Sequence, residues 1–432
     1  MFNSIELPNP PALKLPLDFM WGAATAAHQV EGNNNNDWTI WEKNNYIKLA
    51  TKPSVNKFYT NGPPPNWETQ KLLAADPNNY LSGRAVDHWN RWKKDIDLAK
   101  SFGFNALRYS LEWSRIQPNA KNFDEKSLDH YRQYSEYCLS IGITPFITLH
   151  HFTNPIWLSE KGGWENASTP YLFNEYIHKA VSVMPKNKNI HYLIINEPNV
   201  YAGGGYITGE WPPNKTNPLT YRKVQKNLIK AHQIGYQTIK DIDNNAPISS
   251  TVNYTDFEPK NNSFLPINKL LAWAGEKLVN SWFYQATIDQ TDFIALNQYM
   301  HCVTNLGFFK NDSKEPKSDM GWYLNPDSMY RILKELAQYK KPIIITENGL
   351  ADEKDSYRSW FIAETLTSIQ KAINEGIEVK GYLHWSLLDN FEWNSGWWPK
   401  FGLIEVDRQT MERKPRPSAY FYKTIIENIN NQ

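Results

Sequence analysis

The sequence predicts a single (β/α)8 barrel, an α/β fold with elaborated loops at the C-terminal face of its strands, and three observations lead there. Eight short β-rich runs recur along the chain, each nearly continuous in apolar residues and each ending in polar ones. Such runs suit strands buried on both faces of a parallel sheet. Amphipathic stretches of helical period separate them, and no glycine-rich dinucleotide loop follows the first run, which weighs against an open doubly wound sheet. A chain of 432 residues has room for eight strand-and-helix units of roughly 50 residues each. Residues 1–432 are therefore read as one domain.

In order, the strands are expected at 19–26, 105–110, 143–150, 191–196, 248–253, 292–299, 342–346 and 379–386. Between them, Trp89, Trp92, Ile96, Ala99 and Phe102 recur at spacings of three and four, as do Leu128, Tyr131, Cys138 and Ile141, so each set forms the buried stripe of a helix. Asn325 and Pro326 precede Met329, Ile332, Leu333 and Leu336, supplying a cap and a first-turn proline. The segment 33–87, with its asparagine run at 33–36 and prolines at 63–65, is polar, turn-rich and too long for a simple connection. It is expected to form an elaborated loop over one face, and 305–319 is a second long loop.

Composition narrows the function. Lys and Arg number 46 against 45 Asp and Glu, a net charge of +1 with no basic block, so nothing attracts nucleic acid. A mean hydropathy of −0.62 and the lack of any long apolar run argue against a membrane span. Residues 1–16 never form the apolar segment of a secretory signal, which makes a cytoplasmic location the expectation. Cys138 and Cys302 are too few for a disulfide framework or a four-thiolate metal site. His150 and His151 are adjacent, and neighbours on a strand face opposite ways, so no metal is expected; no cofactor fingerprint occurs either.

In barrels of this type, chemistry sits at the carboxyl ends of the strands, so the polar residues ending the eight runs are the first candidates. Two carboxylates stand out. Ile194-Ile195 leads into Asn196-Glu197-Pro198, and Ile343-Ile344-Ile345 into Thr346-Glu347-Asn348-Gly349. A carboxylate at the mouth of an apolar strand is costly unless paired, hydrogen-bonded or needed for chemistry. Arg108, ending the second run, is a structural partner for either. The two Glu residues lie 150 positions apart, on the fourth and seventh strands, across the barrel mouth. Facing carboxyl groups are the machinery of glycoside hydrolysis: one protonates the departing oxygen, and the other attacks the anomeric carbon or activates water.

Over nearly its whole length the sequence also resembles the family 1 glycoside hydrolases, the β-glucosidase and β-galactosidase group. The likeness runs through residues 17–32, Arg108, Trp113-Ser114-Arg115-Ile116, His150-His151-Phe152, Asn196-Glu197-Pro198, Thr346-Glu347-Asn348-Gly349 and residues 384–393. The resemblance implies Glu197 as acid/base and Glu347 as nucleophile of a retaining mechanism, in which the carboxyl groups stand about 5 to 5.5 Å apart. It implies that Asn196 holds the sugar 2-hydroxyl and that Arg108 and Tyr299, with Asn297 beside them, support the nucleophile. Gln29, His151, Glu392 and Trp393 match the ring of sugar-hydroxyl ligands, and Trp385 matches the indole under the sugar face.

Three positions depart from the family pattern: Ile194 stands where Thr is usual, Phe152 where Trp is commoner, and Gln298 where Tyr is frequent. None removes a catalytic group. Glu392 is the carboxylate that the phospho-sugar branch lacks, so an unphosphorylated substrate is expected. The function implied is an exo-acting β-glucosidase with tolerance for β-galactosides and β-fucosides, working on small β-linked glycosides without a cofactor, nucleic acid or membrane. A transglycosidase of the same mechanism is the alternative. A sugar-binding relative without turnover fits less well, because both carboxylates are retained. Oligomeric state and aglycone are not legible.

Overall fold

A computed structural model describes residues 7–51, 64–186, 189–260, 266–305, 308–309 and 315–431. Eight parallel strands close a barrel: β1 (Met20–Ala24), β2 (Ala106–Ser110), β3 (Thr144–His150), β4 (His191–Asn196), β5 (Ile248–Pro259), β6 (Ile294–Asn305), β7 (Ile343–Asn348) and β8 (Val379–Trp385). Each pairs with the next, and β8 returns to β1 through Ala23↔His384 and Ala24↔Trp385. The predicted architecture is the observed one. Eight main helices follow the strands: α1 (His88–Ser101), α2 (Glu125–Ser140), α3 (Thr169–Val183), α4 (Pro218–Ile242), α5 (Pro266–Gly275), α6 (Asp327–Leu336), α7 (Arg358–Asn374) and α8 (Pro417–Asn430). The Asn325 side chain caps α6 as expected, its Oδ1 accepting from the Ser328 amide at 3.1 Å.

The strands separate two kinds of core. Outside, their apolar faces pack on the helices, where Ile194 meets Gly235 of α4. Inside, Ala106, Phe146, Leu193, Ala295, Ile344 and Leu383 fill the lower barrel. Above them the interior becomes polar, with Arg108, Thr148, Asn196, Asn297 and Thr346 all buried. That change of character is what places chemistry at one end.

Two expectations need correction. β5 and β6 run well past their predicted ends, because Asp256↔His301, Phe257↔Cys302 and Glu258↔Val303 keep pairing beyond the barrel mouth. Their polar continuations read as loop in the sequence, yet the ladder supplies partners for the backbone. The segment 33–87 is no irregular loop: it carries helices Asp37–Thr51 and Trp67–Ala74, with residues 52–63 outside the described residues. Buried Trp38 and Trp41 anchor the first, Trp38 lying 4.7 Å between ring centroids from Trp393. Two such rings outweigh the surrounding asparagines. Of the loop 305–319, residues 306–307 and 310–314 lie outside the described residues. Among the described residues no helix is long and apolar enough to cross a membrane.

The chain that follows β8 is fixed by a buried ion pair. Arg416, just before α8, makes a two-pronged contact with Asp389, Nη1 to Oδ1 and Nη2 to Oδ2 both at 3.0 Å, and both side chains are buried. Removing one partner of such a pair strands the other charge in a medium that cannot solvate it. Arg416→Ala is therefore expected to lower the unfolding free energy by about 3–5 kcal/mol, read from urea denaturation.

Candidate active site

A cavity of about 400 Å³ opens at the C-terminal face, lined by Gln29, His151, Asn196, Glu197, Tyr299, Glu347, Trp385, Glu392 and Trp393 among others. Arg108 and Asn297 lie directly beneath it. The structure thus gathers every sequence-predicted site residue in one place, drawn from five of the strands and from the turns after β1, β3, β4 and β8.

Local backbone geometry explains how. Asn196 and Glu197 are neighbours, and on a regular strand they would face opposite sides. The chain leaves β4 at Glu197, which takes a left-handed conformation (φ 43°, ψ 61°) before Pro198, so both side chains reach the cavity. Such a conformation in a residue other than glycine costs about 1–3 kcal/mol and persists only where its surroundings enforce it. Phe152 (φ 72°) and Trp393 (φ 48°) are held the same way at the same rim. After Glu347, Gly349 passes so close to the Trp385 carbonyl oxygen that a Cβ there would sit 1.9 Å from it. Only glycine permits that approach.

Arg108 is the hub, with 0% exposure. Its Nη1 donates to Glu347 Oε1 at 2.6 Å, its Nη2 to Asn196 Oδ1 at 2.6 Å and its Nε to Thr148 Oγ1 at 3.1 Å. Tyr299 donates its hydroxyl to Glu347 Oε2 at 2.6 Å. Among the described residues no cation contacts Glu197; two amides donate to its Oε1, Asn297 at 2.7 Å and Asn253 at 2.9 Å.

The two carboxyls consequently differ. Burial, and then the charge of Glu347, push Glu197 up to about 8, with the amides opposing. Burial raises Glu347 as well, but Arg108 and Tyr299 work against it. The pair shares its titration, and the guanidinium decides that the negative charge rests on Glu347 and the proton on Glu197. Glu392, with Asn390 Nδ2 at 2.8 Å and Gln29 Nε2 at 3.3 Å, is pushed up to about 8 by burial.

Arg108 also sets the sugar-facing groups. Because Asn196 turns its Oδ1 to Arg108, its Nδ2 faces His151 Nε2 at 3.1 Å, which must accept. Burial, aided by Arg108, holds His151 far below its ordinary pKa, so the neutral ring carries its proton on Nδ1. Among the described residues, that Nδ1 is a buried donor without a partner and Gln29 Oε1 a buried acceptor without one. Each suits a hydroxyl, which both donates and accepts. His150 turns away, its Nε2 contacting Asn154 Oδ1 at 3.1 Å.

Of the three departures from the family pattern, Ile194 packs outward and Gln298 is tied to Asn348 Nδ2 at 2.7 Å and Ser328 Oγ at 2.8 Å, so neither lines the cavity. Phe152 does line it. Outside the cavity, Asp256, Glu258 and His301 approach one another closely enough to ligate a metal, but Arg331 already pairs with Asp256. Asn253 is the functional residue that sequence reasoning missed, although it ends the fifth predicted strand, where polar residues were sought. Because its amide favours the ionised Glu197, Asn253→Ala is expected to move the alkaline limb of kcat/KM to higher pH, read from a pH–rate profile.

The model of glycosyl hydrolase family 1 matches residues 12–298 and 278–431. The chain is 30% identical to β-glucosidase A of Thermotoga maritima over 96% of its own length and 98% of that protein's. Its structure resembles that of a β-glycosidase from Pyrococcus horikoshii, with a TM-score of 0.83, 34% identity and coverage of 97% and 96% of the two chains. It also resembles a β-glucosidase from Thermotoga maritima in complex with glucoimidazole, with a TM-score of 0.80, 29% identity and coverage of 96% and 99%. The chain belongs to glycosyl hydrolase family 1.

Proposed function

We propose that this family 1 glycosyl hydrolase is a retaining exo-β-glycosidase that releases terminal β-D-glucosyl residues, with the 432 residues acting as one catalytic domain in the cytoplasm. The observation that carries the reading is the unequal surroundings of two neighbouring buried acids, Glu347 on a guanidinium and Glu197 on amides alone. Retaining chemistry needs one carboxylate charged and one carboxyl protonated at the same pH.

In the first step Glu347 attacks the anomeric carbon while Glu197 gives its proton to the departing oxygen. The sugar is left as an ester of Glu347, and the leaving group departs as an alcohol. Esterification removes the negative charge that helped hold the Glu197 proton, so Glu197 now ionises readily. It takes a proton from water, whose oxygen attacks the anomeric carbon. Free sugar leaves with its original configuration, and the proton is back on Glu197. Asn196, held by Arg108, keeps one amide hydrogen for the sugar 2-hydroxyl. Gln29, His151 and Glu392 take the outer hydroxyls, and Trp385 supports the apolar face of the ring.

The relatives' names favour glucose, with galactose as a tolerated glycone; tolerance of fucose is proposed from the family resemblance alone. Among the described residues lining the cavity there is neither Lys nor Arg, so a sugar phosphate finds no cation and meets Glu392 instead. This supports an unphosphorylated substrate, and hydrolysis of a 6-phosphoglucoside without that of the plain glucoside would overturn it.

Two outcomes test the assignment. Glu347→Ala is expected to lose roughly four or more orders of magnitude in kcat with nitrophenyl β-glucoside, and azide is expected to restore part of it with release of the α-glycosyl azide. If azide instead acts only on Glu197→Ala with activated substrates, the nucleophile assignment fails. For the wild type, the proton on Glu197 is lost as pH rises, so kcat/KM should fall above about 8 and not rise. A flat profile through that range would contradict Glu197 as the acid.

A further inference from the structure

Two buried ionisable side chains take no part in the steps above, and we infer that they are positioning residues: His28 and Glu42 hold Gln29, Glu392 and Trp393 in place from behind the sugar-facing wall. The inference rests on the glycosidase reading above and deepens it, because the pair acts through groups that meet the sugar and touches no substrate itself. His28 is 1% and Glu42 2% exposed, and neither lines the cavity. His28 sits on the one-turn helix Ala27–Val30 after β1, and Glu42 on the helix Asp37–Thr51.

Hydrogen bonds fix the imidazole at both nitrogens. Asn36 Oδ1 accepts from the Thr39 amide at 3.0 Å, so its Nδ2 is the atom that faces His28 Nδ1, at 3.0 Å, and donates to it. The His28 proton is then on Nε2, which donates to Glu42 Oε1 at 2.8 Å. The other carboxylate oxygen, Oε2, accepts from the Ser82 amide and hydroxyl, both at 2.8 Å. Pinned at two points, the ring cannot turn about its Cβ–Cγ bond.

The fixed ring touches the residues on either side of Glu392. It lies 10° from parallel with Trp393, centroids 5.5 Å apart, and meets Phe391 edge-on at 5.9 Å. Trp393 carries the near-parallel order on to His151, 17° away and 6.1 Å between centroids. Its left-handed backbone, φ 48°, would relax without such support. Gln29, next along the chain from His28, accepts from the Phe391 amide at 3.0 Å through its carbonyl and donates to the Phe391 carbonyl at 2.8 Å through Nε2. An apolar ring would fill the same space without burying two ionisable groups, and replacing a buried pair that way is often neutral for stability. What the pair adds is direction.

The test compares nitrophenyl β-glucoside with its 3-deoxy and 4-deoxy analogues, which lack outer hydroxyls assigned to Gln29, His151 and Glu392. The variants are Glu42→Gln, His28→Phe and the two together; the double variant strands no charge, and its new amide oxygen can still accept from Ser82, so it keeps the test open if a single variant does not fold. We expect the wild type to prefer the parent sugar, and the parent-to-deoxy ratio of kcat/KM to fall about tenfold in the variants, because a displaced wall no longer rewards the hydroxyl. A merely structural role would lower kcat/KM for all three substrates alike. An unchanged ratio in the folded variants, or a wild type indifferent to the missing hydroxyls, overturns the inference while nitrophenyl β-glucoside is still cleaved. If the wild type leaves nitrophenyl β-glucoside intact, the glycosidase reading falls and takes this inference with it.

Discussion

A fully buried arginine inside the barrel is the constraint from which the site follows. Desolvating a guanidinium costs several kcal/mol unless its donors are matched and its charge is met. Arg108 meets its charge in Glu347 and matches its remaining donors with Asn196, Thr148, Asn297 and the Thr346 carbonyl. Every one of these ends or adjoins a barrel strand, so one side chain ties β2, β3, β4, β6 and β7 together. It also fixes which acid carries charge, which way the Asn196 amide points and which nitrogen of His151 is protonated. Structure and reactivity here share the same five hydrogen bonds.

The polar layer is stable only because the barrel below it is dry and the loops above it are braced. Ala106, Phe146, Leu193 and Ile344 close the lower interior, leaving water one side from which to approach. Above, Trp38, Trp211 and Trp393 pack edge to face and tilted with centroids 4.7 to 5.9 Å apart, while Arg416 and Asp389 hold the strand-to-loop transition after β8. Residues with unfavourable backbone angles, Glu197, Phe152 and Trp393, are thereby kept where a free chain would relax. Rigid loops of this kind let polar side chains from distant segments converge on one cavity in a fixed geometry.

Much of this was legible in the sequence, for identifiable reasons. A strand buried on both faces must be apolar throughout, so eight apolar runs marked eight strands. A polar residue at the end of such a run has few structural excuses, which is why Arg108, Asn196, Glu197 and Glu347 stood out. What stayed hidden depends on pairing across long separations. The extensions of β5 and β6 carry Asp256, His301 and other polar residues that look like loop until each strand supplies the other's partners. Asn253 resembles any strand-ending amide until its bond to Glu197 is seen. The first helix of segment 33–87 depends on Trp38 finding an aromatic cluster built by residues more than 150 positions away.

The two ends of the cavity work by different physics, and that difference bears on specificity. A wall of fixed donors and acceptors rejects a ligand lacking one hydroxyl strongly, because a buried polar atom is then left unpaired, whereas an apolar wall discriminates only weakly per methylene. The glycone side, with Asn196, His151, Gln29 and Glu392 locked by one another, belongs to the first kind. The side formed by Ile207, Leu278 and Met300 belongs to the second. Under the proposed reading the polar end fixes how the ring sits, and the apolar end discriminates little among the groups that leave. The first depends on Arg108 and the second on side chains that take part in no proposed catalytic step, so changes at the rim leave the proton inventory of the Glu197–Glu347 pair as it is.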